Sequence, residues 1–119
     1  MTNGNLGREM LANVEQIVGK QRAAVTVAVT DDKYGQVKDL ICEAVSEVDA
    51  GDGVIVMTDV LGSSPSNLCR SACTGSDHVI ISGVNMPMLI KLAKVRRRSL
   101  PDAARAVAET GRKYISIIN

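Results

Sequence analysis

The chain predicts an α/β fold: a three-layer, doubly wound, mainly parallel sheet. Three observations carry this. Short β-branched runs alternate with longer stretches in which apolar residues recur at helical spacing. The run Val54 to Thr58 is almost entirely apolar, as befits a strand covered on both faces. Short turns join strands to helices, the pattern of right-handed β-α-β crossovers. With 119 residues, 45% of them hydrophobic and 23% charged, residues 1–119 are expected to form one domain around one core.

Met1-Thr2-Asn3-Gly4 reads as the tail of a strand and the turn into a helix. The body of that strand is expected upstream of Met1, so the first strand is missing or truncated. If so, the sheet should be gapped or rearranged. Leu6, Met10, Leu11, Val14, Ile17 and Val18 predict a helix over 5–18, stopped by Gly19. Ala24 to Val29 is rich in β-branched residues and predicts a strand, with Thr30-Asp31-Asp32 as turn and cap. Val37, Leu40, Ile41, Ala44, Val45 and Val48 mark a helix over roughly 34–49. Asp49 to Gly53 is a turn, and Val54 to Thr58 a buried strand.

A short helix is expected from Pro65 to just before Gly75, then a strand over Val79 to Ile81. Ser82-Gly83-Val84-Asn85-Met86-Pro87 is a second strand-to-helix turn. The helix beyond it carries Met88, Leu89, Leu92, Ala93 and Val95 and ends in Arg96-Arg97-Arg98. Pro101 suits the first turn of a further helix that runs to Gly111, and Tyr114 to Ile118 reads as a terminal strand.

Composition excludes several function classes. A net charge of +1 gives no field to steer the chain to nucleic acid. Tyr34 and Tyr114 are the only aromatic residues, so base-stacking platforms are lacking. No apolar run approaches the roughly 20 residues of a membrane span, so no direct membrane insertion is expected. No charged segment leads into an apolar one at the start, so no signal peptide is visible. Cys42, Cys69 and Cys73 lack metal-ligand spacing and read as small buried hydrophobes, which fits a reducing, cytoplasmic compartment. No metal or cofactor is expected.

Chemistry is expected after Val54 to Thr58, where Asp59 leads into Val60-Leu61-Gly62-Ser63-Ser64-Pro65-Ser66-Asn67. A carboxylate at the carboxyl end of a strand, beside a helix start, occupies the ligand-binding edge of an open α/β sheet. Helix starts favour anions such as a phosphoryl group. Asp59 has four readings: it orients a histidine, accepts a proton, binds a metal, or caps the turn. Ser63, Ser64 and Ser66 offer hydroxyls and amides to an anion, while Ser64 also suits the N-cap before Pro65. Asn67 either lines the site or bonds to backbone. Asn85 reads first as the cap of its helix, with contact to the site as the other use, and Gly83 suits either positive φ or close packing. His78, the only histidine, starts a strand and so belongs to the opposite, amino edge, without catalytic duty. Arg96-Arg97-Arg98 reads as a solvated helix end.

On these residues the chain resembles the IIA component of the mannose family of the phosphoenolpyruvate-dependent sugar phosphotransferase system. Thr2-Asn3-Gly4-Asn5-Leu6-Gly7 is similar to that family's Thr/Ser-His-Gly turn. The stretch from Gly51-Asp52-Gly53-Val54 through Thr58-Asp59 to Gly62-Ser63-Ser64-Pro65-Ser66-Asn67 resembles its Asp-x-x-Gly-Gly-Ser/Thr-Pro loop. Ser82 to Leu89 resembles its Gly-x-Asn-hydrophobic-Pro-Met segment, and Gly111-Arg112-Lys113-Tyr114-Ile115 a common ending.

The resemblance implies a cytoplasmic, usually dimeric phosphoryl carrier that takes its phosphoryl group from HPr onto a histidine and passes it to a IIB protein or domain. It implies that Asp59 orients that histidine, that Ser64 lies near the phosphoryl group, and that Gly62, Ser63, Ser64, Asn67 and Asn85 surround it. Three departures qualify this. The acceptor position holds Asn3, whose amide nitrogen has no free lone pair. Ser63 replaces the loop's second glycine. The first strand is not in the sequence. Two readings follow within the family: a carrier, or an inactive homologue that binds partners and regulates. A third is another flavodoxin-like or receiver-like anion-binding domain.

Overall fold

In the computed structural model, which describes residues 1–30, 36–60 and 77–119, the strands form two parallel ladders lying edge to edge. In one, β1 (Thr2–Asn3) pairs with β2 (Ala28–Val29), with Thr2 opposite Ala28. In the other, β3 (Val54–Thr58) pairs with β4 (His78–Ser82), from Val54 opposite His78 to Thr58 opposite Ser82. The Met1 nitrogen joins the ladders by donating to the Met57 carbonyl at 2.7 Å. The lateral order is therefore β2, β1, β3, β4, with β1 in the middle.

Strand alternation sorts the side chains into two layers. Val54, Val56 and Ile80 meet Ile41 and Val45 of α2 (Val37–Val48), together with Val29. Ile55, Met57 and Ile81 meet Met88 and Val95 of α3 (Met86–Val95) and Ala103 and Val107 of α4 (Leu100–Lys113). The remaining helix among the described residues, α1 (Leu6–Val18), packs on α3. Helices thus cover both faces, giving three layers around a parallel sheet. Val107 and Ile41 are the most deeply buried aliphatic residues of the two clusters. Cys42 packs as a small hydrophobe against the α2 cluster; Cys69 and Cys73 lie outside the described residues.

Local chemistry explains the helix starts. Asn85 caps α3 by accepting from the Met88 amide, and Ser99 caps α4 by accepting from the Asp102 amide; each helix has a proline in its first turn. The helix expected from Pro65 falls outside the described residues, as do positions 34 and 35 of the helix expected over 34–49.

Two strand expectations need correction. Of Ala24 to Val29, only Ala28–Val29 is strand. A β ladder needs a neighbour, and β1 supplies only Thr2 and Asn3. Tyr114 to Ile118 is not strand: α4 runs on to Lys113, and the residues beyond are exposed. Apolar β-type sequence makes no ladder where no described strand lies beside it. Among the described residues, no helix is long and apolar enough to cross a membrane.

Candidate functional site at the carboxyl edge

The apolar run of β3 delivers Asp59 to the carboxyl edge, half-buried, beside the turn that leads from β1 into α1. Its carboxylate spans two elements: Oδ1 accepts from the Val60 amide at 2.9 Å, and Oδ2 from the Asn3 amide at 3.4 Å. The two sequence-predicted residues Asn3 and Asp59 are thus brought together from positions 56 residues apart. The turn after β4 is held against the same edge, because the Val84 amide donates to the Thr58 carbonyl at 3.0 Å.

Thr2 was not singled out from the sequence, yet it organises this corner. It is 1% exposed, and its Oγ1 accepts from the Gly7 amide at 2.8 Å, in the first turn of α1. Asn5, the residue at the N-cap position, makes no side-chain cap. Thr2 therefore serves one of the free amides of the helix start from outside the helix. A Cβ at Gly7 would stand 3.2 Å from Thr2 Oγ1, so glycine there makes room for the contact. The available signal was the order Thr-x-Gly-x-x-Gly, a small hydroxyl residue just ahead of a helix whose first turn carries glycine. Together Thr2, Gly7 and Asp59 hold Asn3 exposed at the edge, next to the carboxylate.

The second turn is built differently. Gly83 has φ +83 with open space where a Cβ would lie, so it meets a backbone demand and not a packing one. Asn85 has both ends of its amide engaged: Oδ1 accepts from the Met88 amide at 3.1 Å, and Nδ2 donates to the Gly111 carbonyl at 3.3 Å. It ties the start of α3 to the end of α4. Three hydroxyls near this edge, Thr30 Oγ1, Thr58 Oγ1 and Ser82 Oγ, are buried without a hydrogen-bond partner among the described residues. Leu61, Gly62, Ser63, Ser64, Pro65, Ser66 and Asn67, the other half of the expected site, lie outside the described residues.

His78 is the first residue of β4 and sits at the amino edge, a full strand length from Asp59. Arg96 is at that edge too, donating from Nη1 to Gln21 Oε1 at 3.2 Å and from Nη2 to the Ala23 carbonyl at 3.4 Å. Arg96 is therefore a tether as well as a solvated helix end. Among the described residues, no group of three or more histidine, cysteine or carboxylate side chains could hold a metal ion. Chemically, the described corner presents a carboxylate, helix-start amides and a neutral amide side chain. The last cannot act as a nucleophile.

Comparison with known proteins bears on the family and the fold. A family model, EIIA-man, described as the phosphotransferase-system fructose IIA component, matches residues 1–109. The mannose-specific EIIAB component of Escherichia coli K12 is 26% identical over 124 aligned residues. That alignment takes in 98% of this chain but only 38% of the relative, so the chain spans well under half of the curated protein it matches. Among solved structures, the phosphotransferase-system EIIA of Streptococcus agalactiae superposes with a TM-score of 0.86 at 22% identity, over 98% of this chain and 92% of the other. The mannose/sorbose-specific IIA subunit of Enterococcus faecalis gives 0.86 at 23% identity, over 100% and 91%. At these identities the structural likenesses speak for the fold.

Proposed function

The chain belongs to the EIIA-man family of the sugar phosphotransferase system, and on that premise we propose that it is a partner-binding, regulatory IIA module that carries no phosphoryl group on histidine. One observation carries the reading: the residue held beside Asp59 is Asn3. Asp59 and the helix start provide the orienting and stabilising half of a phosphohistidine site. The amide nitrogen of Asn3 is delocalised into its carbonyl and cannot attack phosphorus. His78, at the opposite edge, is out of reach of this corner. In the same proposal, Gly62, Ser63, Ser64, Asn67 and Asn85 line an anion-receptive surface that faces HPr and a IIB protein or domain, in the cytoplasm.

The module is proposed to work as a homodimer. Ile115, Ile117 and Ile118 are 76%, 92% and 90% exposed, and a groove lined by Val79, Ile81, Ala108 and Ile115 runs along β4. A second copy would remove this apolar surface from water.

The test is incubation with phosphoenolpyruvate, enzyme I and HPr, read by intact mass. The chain is expected to gain no acid-labile phosphoryl group, and Asn3→His to gain one. Stoichiometric acid-labile phosphate on the unaltered chain overturns the proposal. It is equally overturned if neither protein binds HPr.

A further inference from the structure

α1 and α3 both start at the carboxyl edge and lie against each other, so their ends meet at the amino edge. Arg96 locks those ends together: its guanidinium donates to Gln21 Oε1 and to the Ala23 carbonyl, in the segment that follows α1. Gln21 and Arg96 are 75 residues apart in the chain. The tether thereby gathers Lys20 and Arg22 from one segment with Arg96, Arg97 and Arg98 from the other. All five are exposed, and among the described residues none has a carboxylate within ion-pair distance. Glu15 is the carboxylate that reaches this segment, with Oε2 accepting from the Gln21 amide at 2.8 Å. Asp49, Asp52 and Asp77 also belong to the amino edge, ahead of β3 and β4. The whole chain carries +1, so without these five cations the remainder carries −4. Charge is therefore segregated, and this corner has a positive field that the molecule as a whole lacks. Ile17, in the last turn of α1 just ahead of Lys20, is 63% exposed.

We propose that this corner adsorbs to the surface of a bilayer containing anionic phospholipid. Charge complementarity identifies the occupant. Four of the five cations are arginines, whose planar guanidinium takes phosphate oxygens in a fork, and clusters of this size hold to anionic headgroups. Ile17 favours a bilayer over an acidic polypeptide, because an exposed aliphatic side chain amid cations enters the boundary between headgroups and acyl chains. Nucleic acid fits less well. Tyr114 closes α4 at the carboxyl edge, and among the described residues no aromatic ring stands beside these arginines for a base to stack on. Contact through the amino edge turns Asn3 and Asp59 away from the lipid. The negative remainder of the chain is repelled by the same surface, which reinforces that orientation.

The test is flotation of the full chain with vesicles. Phosphatidylcholine vesicles containing about a third of phosphatidylglycerol are expected to carry the chain at low salt and release it at high salt. Pure phosphatidylcholine vesicles should leave it behind. Arg97→Gln and Arg98→Gln, at exposed positions outside the tether, should each weaken partitioning about fivefold. Ile17→Ser should weaken it about threefold without changing its salt dependence. Arg105→Gln removes an equal charge from α4, where Arg105 lies 4.0 Å from Asp102, and should change nothing. On vesicles, amide exchange should slow over residues 20–23 and 96–98 and stay unchanged at Asn3 and Gly4. Failure to float with the anionic vesicles, equal flotation with neutral ones, or an Arg105→Gln effect as large as that of Arg97→Gln would overturn the proposal. So would a chain that ignores vesicles but binds poly-glutamate or a single-stranded oligonucleotide, which would assign the corner to an acidic polypeptide or to nucleic acid.

Discussion

Replacing Thr2 by valine removes one hydrogen-bond acceptor at the root of the candidate site and changes little else. The Oγ1 atom takes the Gly7 amide at 2.8 Å, and the residue is 1% exposed. Valine has the same shape but sets a methyl group where the acceptor stood, so the Gly7 N–H is left half-buried and unpaired. A stranded buried donor costs about 1–3 kcal/mol, and loss of a helix cap costs about 1. The added apolar group returns up to about 0.8 kcal/mol. A net loss of about 1–2 kcal/mol is expected. With a urea slope of about 1.5 kcal/mol per molar, the unfolding midpoint should fall by roughly 0.7–1.3 M. Amide exchange at Gly7 should speed up more than at Val14, deep in the same helix. Thr2→Ser keeps the acceptor and loses only a buried methyl, so Gly7 should stay protected. If valine leaves both the midpoint and Gly7 exchange unchanged, Thr2 does not organise the start of α1.

Gly53→Ala should destabilise by about 2–4 kcal/mol in urea unfolding. Its φ is +92, and a Cβ would lie 2.7 Å from Leu100 Cδ2 and 3.1 Å from the Asp77 carbonyl. Gly51→Ala, at similar φ but with open space, should lose only about 1–2 kcal/mol, so the difference isolates the contact. Thr58→Val should be neutral or stabilising by up to about 1–2 kcal/mol in thermal unfolding. The Thr58 hydroxyl is fully buried and has no partner among the described residues, so burying it carries an uncompensated cost.

What could be read from the sequence follows a physical division. Val54 to Thr58 was legible residue by residue, since a strand between two helical layers must be apolar on both sides, and Asp59 follows directly. The Asn85 cap was legible because capping is local: a side-chain acceptor three residues before the amide it serves. Ala24 to Val27 and Tyr114 to Ile118 carry the same β-type composition as true strands. Whether such a segment joins a ladder depends on a neighbour that its own residues do not encode. Thr2 stayed hidden for a related reason: its role depends on the angle at which α1 leaves the sheet and on glycine at position 7. The meeting of Asn3 with Asp59 came from motif order in the whole chain and was not derivable from either residue alone.

The central claim is that the carboxyl edge keeps a partner surface without the chemistry. It is tested most directly by titrating isotope-labelled chain with phosphorylated HPr while amide and phosphorus resonances are recorded. The account predicts saturable amide shifts at Asn3, Gly4, Leu6 and Val60, little change at Gln21 and His78, and phosphate that stays on HPr. Phosphorus signal moving onto this chain, or amide shifts confined to the amino edge, would contradict it.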